Sequence, residues 1–262
     1  MTQGIDRQLN DALCQRFELR GHVYACHTLD HVVLLDTRRG RYLGVPALVG
    51  QILGPRIRRW PCGPGRAAGE FDIAERDSAA QVLSQMLQER LLARIGSYGG
   101  ASSDTSVVLP PRAQLEEGYE FARPRLRWKD PVRFLWAVAL TWAKLNLRSI
   151  ESLAKDMQRR RATALKRMTT KAGARHKFDR ERTRVAVAQF EWLYRLLFSE
   201  GDRCLFKSAA LQEYLFTQLS FPRMVIGVAT GPFAAHCWLQ EDDIVINDEQ
   251  YRVRMFTPII AI

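Results

Sequence analysis

The chain has 262 residues and a formal net charge of +11, and 47% of its residues are hydrophobic. This length allows two domains, and the hydrophobic content excludes a chain that is disordered as a whole. The longest apolar run, Phe134 to Ala143, is about half of the roughly 20 residues that cross a bilayer. We therefore expect a buried helix there and no membrane span.

The N-terminal third predicts a small domain of strands and helices. Three runs have the composition of strands, and a Gly-containing turn joins the last two: Phe17–Cys26, His31–Asp36 and Arg41–Val45. Pro46 suits the start of a short helix, Ala47–Leu53, and apolar residues recur at helical spacing from Ala79 to Arg94. Three strands followed by helices indicate a winged-helix-like module at residues 1–97.

A polar stretch rich in Gly and Ser, Gly96–Ser106, is followed by Pro110 and Pro111 and predicts a flexible linker. We place the linker at residues 98–125 and a second domain at residues 126–262. Helices are predicted first, from Pro131, over Ile150–Met168, over Arg182–Phe198 and from Cys204 to Leu219. Four antiparallel strands should follow, at Met224–Ala229, Ala234–Gln240, Ile244–Asn247 and Tyr251–Phe256. The predicted fold class is α+β.

The positive charge is concentrated in one segment. From Arg123 to Arg195 there are 20 Lys and Arg against 6 Asp and Glu, a net of +14, which leaves −3 for the rest. Such a block suits nucleic acid, an anionic membrane face, or an acidic peptide or protein partner. A solvated helical surface is the alternative.

The cysteines indicate a reducing compartment. Five are scattered along the chain without a CxxC pair, and the first ten residues are too polar for a secretory signal peptide. We therefore expect a cytoplasmic protein without a disulfide framework. His22, Cys26, His27 and His31 lie close together but have no matching second ligand pair, so no metal site is expected. No Gly-rich phosphate loop occurs, and no cofactor is expected.

A thiol, an imidazole and a carboxylate follow one another in the C-terminal third. Cys204 opens a predicted helix, and His236 and Asp248 lie on successive predicted strands. This order is typical of papain-like and transglutaminase-like thiol sites. Strand alternation turns Cys237 away from Cys204, toward the core. Asp202 and Asp243 compete with Asp248 for the third role, although Asp202 also suits a helix cap.

Each member of this trio has a chemical role. A helix N-terminus lowers the pKa of a thiol, and the backbone N–H of Cys204 would donate to a developing oxyanion. His236 would take the thiol proton and return it to the leaving amine. Asp248 would hold the imidazole tautomer. Buried cysteines without any catalytic role are also common.

Three segments resemble the B proteins of lasso-peptide biosynthesis: Gly201–Ser208, Gly227–Trp238 and Val245–Asp248. These proteins are transglutaminase-like cysteine peptidases that remove the leader from a ribosomally made precursor. The resemblance implies a catalytic triad of Cys204, His236 and Asp248. That family usually has Ala at the position of Cys237 and an acidic residue at that of Gln240, and neither difference touches the triad.

The N-terminal module resembles the leader-recognition element of the same family. That element binds the leader as an added strand beside its third strand, with its last helix as the other wall of the groove. The resemblance implies that six residues bind the leader: Tyr42, Leu43, Gly44, Val45, Val82 and Met86. A free strand edge provides a physical basis for such binding, although the same apolar residues would also serve as core.

The sequence thus predicts a cysteine peptidase that binds the leader of a lasso-peptide precursor and cleaves it from the core peptide. The expected partners are the precursor and an ATP-dependent lasso cyclase. Nucleic acid is not expected as a partner. Two alternatives remain: a Cys-dependent acyltransferase or transglutaminase, and a non-catalytic nucleic-acid-binding protein that uses the basic segment.

Overall fold

The computed structural model describes residues 16–61, 71–95, 108–115, 124–172, 178–198 and 204–262, with side chains only to 167 in the fourth range. It combines helices with strands in two compact units. The N-terminal unit comprises Met1–Thr105 with Ala229–Ala234, and the C-terminal unit comprises Ser106–Val228 with Ala235–Ile262.

Two three-stranded sheets form the N-terminal unit. Strands β2 (Val23–His27), β3 (His31–Asp36) and β4 (Arg41–Pro46) form an antiparallel sheet in that order, so β4 lies at its edge. The second sheet has the order β5-β1-β6, from Ile57–Arg58, Phe17–Leu19 and Leu92–Arg94. Helices α1 (Ala47–Leu53) and α2 (Ile73–Gln88) supply further core residues, among them Leu53, Leu83 and Met86.

The first predicted strand is interrupted by a turn. Its residues form β1 and β2, because the chain reverses after Leu19 and Val23 N–H donates to the Arg20 carbonyl at 2.8 Å. The break lets β1 join a different sheet from β2.

The predicted helix Ala79–Arg94 is displaced toward the N-terminus. Asp72 caps α2 through a capping box with Glu75, with hydrogen bonds of 2.7 and 2.9 Å, so the helix starts at Ile73. It ends at Gln88, and Arg90 adopts a left-handed φ of 59°. The end of the predicted helix is therefore strand β6, which pairs with β1.

The described residues of the C-terminal unit form four long helices and a five-stranded sheet. The helices are α3 (Lys129–Leu147), α4 (Ile150–Ala172), α5 (Arg180–Leu197) and α6 (Cys204–Thr217). The sheet has the order β11-β8-β9-β10-β7, from Thr257–Ala261, Arg223–Thr230, Phe233–Glu241, Ile244–Val245 and Ala113–Gln114. Strands β11 and β8 pair antiparallel, as do β9 and β10, whereas β10 and β7 are parallel.

One strand prediction for this sheet is wrong. The segment Tyr251–Phe256 is not a strand, because residues Gln250–Val253 form a short helix, α7, and the last strand begins at Thr257. Strand β7 comes from within the predicted linker of residues 98–125. The linker residues 98–107 and 116–123 lie outside the described residues.

Helix α3 is buried on one face only, although its apolar run predicts a buried helix. Phe134, Ala137 and Thr141 are buried, whereas Trp136 and Trp142 are exposed. In the described part of the chain, no helix combines the length and the hydropathy needed to cross a membrane.

A buried ion network joins three helices of the C-terminal unit. Lys144 on α3 contacts Asp156 on α4 at 2.5 Å and Glu213 on α6 at 2.8 Å. Arg160 on α4 also donates to both carboxylate oxygens of Glu213, at 2.5 and 2.7 Å. Part of the basic segment therefore neutralises internal carboxylates, and these bonds hold α6 at a fixed position against its neighbours.

Candidate active site

The first residue of α6 is Cys204, as predicted, and its side chain is half-buried. A helix start suits a reactive thiol because the unpaired N–H groups of the first turn favour negative charge. Residues 199–203 are outside the described ranges, so the predicted cap and competitor Asp202 is not placed.

His236 lies on β9 and is 93% buried, with a relative exposure of 7%. Its Nε2 atom is hydrogen-bonded to Oδ2 of Asp248, which follows β10 on the adjacent hairpin arm. The ring is also hydrogen-bonded to the thiol of Cys204. The structure thus brings together the three residues that the sequence singled out, with Asp248 rather than Asp243 on the imidazole.

The surroundings of Cys204 favour its thiolate. The hydrogen bond from His236 lowers the pKa of the Cys204 thiol, and it outweighs partial burial, which would raise this pKa. The backbone N–H groups of Cys237 and Leu205 also donate toward the sulfur and lower the pKa further. A thiol with several donors around it is chemically primed as a nucleophile.

The surroundings of His236 favour its protonated form. Burial alone would lower the pKa of His236, but the hydrogen bonds with Asp248 and Cys204 outweigh it and raise the pKa to about 9. Burial would raise the pKa of Asp248, yet the hydrogen bond with His236 keeps it below its ordinary value. The three shifts together describe a thiolate–imidazolium pair supported by a carboxylate.

The sequence comparison agrees with this geometry. Residues 142–261 match the family described as Transglutaminase-like superfamily. These residues form a transglutaminase-like domain. The superfamily includes cysteine peptidases and acyltransferases, and its domain is typically a Cys–His–Asp enzyme fold. No match was found among the curated proteins or among the solved structures.

Two aromatic rings hold the imidazole in the transglutaminase-like domain. The His236 ring stacks on Trp238, with centroids 6.1 Å apart, and packs against Phe256 at 5.1 Å. Trp238 in turn lies over Gly227, where an added Cβ would be 2.8 Å from the indole. Neither Gly227 nor Phe256 is predicted from the sequence to support the site.

Gln240 fixes the edge of the indole. Its side-chain oxygen accepts from Trp238 Nε1 at 3.0 Å, and its amide donates to the carbonyls of Leu109 and Asp242 at 2.8 and 2.7 Å. An amide suits this position because its N–H groups donate to both carbonyls. A carboxylate would place a negatively charged oxygen against them and could not donate.

A second set of hydrogen bonds connects the elements that carry the triad. The Ser208 hydroxyl, one turn after Cys204, donates to the Cys237 carbonyl at 2.9 Å. The Asn247 amide donates to Ser208 Oγ at 3.0 Å, and its oxygen accepts from Leu239 N–H at 2.7 Å. Sequence reasoning missed both side chains, although the i+4 spacing from Cys204 and the adjacency to Asp248 were visible signals.

Cys237 belongs to the core of the transglutaminase-like domain. Its side chain is buried, and burial raises the pKa of its thiol above the ordinary value, so it remains protonated at neutral pH. Burial likewise raises the pKa of Cys26 to about 12. Cys14 and Cys62 lie outside the described residues. Of the three described thiols, only that of Cys204 has a lowered pKa.

The six proposed leader-binding residues divide into two groups. Val45 and Met86 are fully buried in the core of the N-terminal unit, and Leu43 and Val82 pack against that core. Tyr42 is half-buried, with its ring 5.3 Å from that of Phe233 in the same unit, and Gly44 is exposed on the edge strand β4. Among the described strands of this sheet, β4 lies at the edge.

The His and Cys cluster near the N-terminus is not arranged as a metal centre. Among the described residues, no group of three or more His, Cys, Asp or Glu could hold a metal ion. His22 is buried beside Asp36, with 3.9 Å between Nε2 and Oδ1, and Cys26 is buried on β2.

Proposed function

We propose that this protein is a cysteine peptidase that binds the leader of a lasso-peptide precursor and cleaves it from the core peptide. The observation that carries the proposal is the hydrogen-bonded sequence Cys204–His236–Asp248 with a lowered thiol pKa. The transglutaminase-like domain supports the reaction class, and the resemblance of its motifs to lasso-peptide B proteins supports the substrate class.

The thiolate of Cys204 attacks the carbonyl carbon of the last leader residue. A backbone N–H at the start of α6 stabilises the oxyanion, and the His236 imidazolium gives its proton to the leaving amine. A thioester between Cys204 and the leader remains. His236 then takes a proton from water, the resulting hydroxide attacks the thioester, and the thiolate leaves with the leader carboxylate released.

In this proposal the N-terminal unit is a winged-helix-like leader-recognition module. The edge position of β4 supports strand addition, since an extended peptide binds by pairing with the backbone of an edge strand. Tyr42, Leu43 and Gly44 would contact the leader, while Val82 and the core residues Val45 and Met86 support the groove walls. Capture of the leader raises the effective concentration of the scissile bond.

The freed core peptide would pass to an ATP-dependent lasso cyclase. Basic side chains of the segment Arg123–Arg195 that are not used internally would dock the cyclase or an acidic leader. Such contacts weaken with salt, so complex formation that is unchanged at high ionic strength would remove this part of the proposal.

An acyltransferase is the second candidate, because the superfamily includes acyltransferases. There the thioester is resolved by an amine instead of water. Mass spectrometry separates the two reactions, since hydrolysis leaves a free leader carboxylate and transfer leaves an amide.

The test is incubation with a lasso-peptide precursor that carries its leader. The native chain should release the leader, whereas Cys204→Ala should bind the precursor and release none. The matched control is Cys237→Ala, which removes a thiol adjacent to His236 but leaves Cys204 in place and should keep cleavage. Cleavage by Cys204→Ala would exclude this residue as the nucleophile. Salt-sensitive binding to nucleic acid, without any cleavage by the native chain, would favour the non-catalytic alternative.

A further inference from the structure

The outer face of α3 and the residue before it form a long exposed apolar surface. Its six large side chains are between 53% and 80% exposed: Trp128, Val132, Leu135, Trp136, Trp142 and Leu147. We call this surface the tryptophan stripe. Its members recur at helical spacing, so they lie on one side of α3 and turn away from the buried residues Phe134 and Ala137. A contiguous exposed apolar surface of this kind marks an interaction site.

Basic residues flank the tryptophan stripe at both ends. Arg125, Arg127 and Lys129 are exposed at its start, and Arg148 is exposed just past its end. No Asp or Glu occurs from Pro131 to Leu147. Of the two basic residues within that range, Lys144 is buried in the ion network, and Arg133 is partly exposed but pairs with the buried Asp130 at 3.6 Å. Apart from Asn146, whose amide donates to the Trp142 carbonyl, the large exposed side chains of this surface are apolar, and its ends are positive.

We propose that the tryptophan stripe binds an anionic lipid surface, with α3 lying parallel to the membrane plane. Indole rings prefer the boundary between headgroups and acyl chains, because they combine an apolar ring with an N–H donor. Helices with Trp and Leu on one side and Lys or Arg beside them are typical of interfacial binding. The flanking arginines would contact lipid phosphates, which are attracted to such basic groups. This inference does not depend on the proposed peptidase activity.

The charges disfavour a second copy of this chain as the occupant. Because both ends of the stripe are basic, parallel and antiparallel pairing of two α3 helices would each bring like charges together. An anionic surface has no such conflict.

Vesicle sedimentation tests the proposal with the full chain. The protein should sediment with vesicles of equal parts phosphatidylcholine and phosphatidylglycerol, and only weakly with phosphatidylcholine alone. Its tryptophan emission should shift to shorter wavelength on binding, as indoles leave water. Trp136→Ser with Trp142→Ser should lower the partition coefficient by at least about tenfold, since two large apolar groups no longer leave water. Arg127→Ala should lower it by about fivefold.

Ile73→Ser is the matched control, because Ile73 is also a large exposed apolar residue but lies on α2. It should bind vesicles like the native chain, as should Cys204→Ala. The stripe variants should keep the native unfolding temperature, since the replaced side chains are exposed.

Three results would overturn the proposal. The first is absence of native-chain binding to the mixed vesicles, and the second is equal binding by the stripe variants. The third is a vesicle-free complex that the stripe substitutions abolish, either a dimer seen by sedimentation velocity or a complex with the cyclase. That result would assign the stripe to a protein partner instead.

Discussion

Asn247 and Ser208 are joined by a hydrogen bond of 3.0 Å between the amide nitrogen and the hydroxyl oxygen. One residue precedes Asp248 and the other lies one turn after Cys204, and Ser208 continues to the carbonyl of Cys237, next to His236. The three elements that carry the triad are therefore connected by polar side chains as well as by the triad itself.

Replacement of Asn247 by Ala should raise the pKa of Cys204 as well as lower stability. The substitution leaves Leu239 N–H without its acceptor, at a cost of about 1–3 kcal/mol, and lets Asp248 and α6 move apart. The rate of iodoacetamide alkylation against pH reports the thiol pKa, and urea unfolding reports stability. Gln212→Ala is the control, because Gln212 is buried on the same helix and donates to the Pro222 carbonyl. It should lose stability but keep the thiol pKa; equal thiol pKa values in both variants would reduce Asn247 to a structural role.

The pH profile of cleavage should be bell-shaped with its alkaline limb near pH 9. Activity requires the Cys204 thiolate, which is lost at low pH, and the His236 imidazolium, which is lost as pH rises through the His236 pKa of about 9. Asp248→Asn removes a charge that raises the pKa of His236, so the alkaline limb should move to lower pH and the maximum rate should fall by at least about tenfold. The measurement is kcat/KM against pH. An alkaline limb at the same pH in both proteins would contradict the role of Asp248.

Cys204→Ala should change how stability depends on pH. In the native chain, folding moves a proton from the thiol to the imidazole, so between the unfolded His value of 6.5 and about 9 the pair adds little pH dependence. Without the thiol, folded His236 still binds a proton that the unfolded chain releases above pH 6.5. Stability of the variant should therefore fall as pH rises through this window, relative to the native chain.

Urea unfolding of both proteins at several pH values measures this difference, and all other titrating groups cancel in the comparison. The native advantage should grow as pH rises above 6.5 and should level off below 9, because in the variant Asp248 alone raises the pKa of His236. A constant difference across the window would mean that Cys204 and His236 do not exchange a proton on folding.

Gly227→Ala should lower both stability and the cleavage rate. The new Cβ would lie 2.8 Å from the Trp238 ring and 2.9 Å from the Phe256 Cβ, and these are the two rings that contact His236. Overpacking of this kind costs about 1–3 kcal/mol. Gly21→Ala is the control, since an added Cβ there has no heavy atom within 4 Å. Thermal unfolding and leader cleavage measure the two effects, and an unchanged cleavage rate in Gly227→Ala would separate ring packing from catalysis.

Cys204, His236 and Asp248 could be predicted from the sequence because each lies in a segment with a local signal. Cys204 is at a helix start, and the other two lie on or beside successive predicted strands. Ser208 and Asn247 were missed because their partners are 29 and 8 residues away and depend on how α6 packs against β9. The same limit explains α3. Its apolar run gave the correct helix, but which side of it is covered depends on the packing of α6 and α5, which periodicity does not specify.

Strand predictions were wrong where contacts with distant residues determine the secondary structure. Tyr251–Phe256 has a strand-like composition, yet Val253 N–H donates to the Glu249 carbonyl at 3.1 Å and the segment turns as a helix. Ala113 and Gln114 look like linker residues, and they are a strand only because Ile244 and Val245 pair with them.

The position of β7 determines where the transglutaminase-like domain can be separated from the rest of the chain. A fragment that begins at residue 126 would lose the Leu109 carbonyl that Gln240 uses, the buried Leu115, and the Gln114 side chain that accepts from Gln250 N–H at 3.0 Å. It would also open the edge of β10 to pairing with other chains. A fragment that begins at residue 106 retains all of these contacts, so a failed expression from residue 126 would say nothing about whether the domain folds independently.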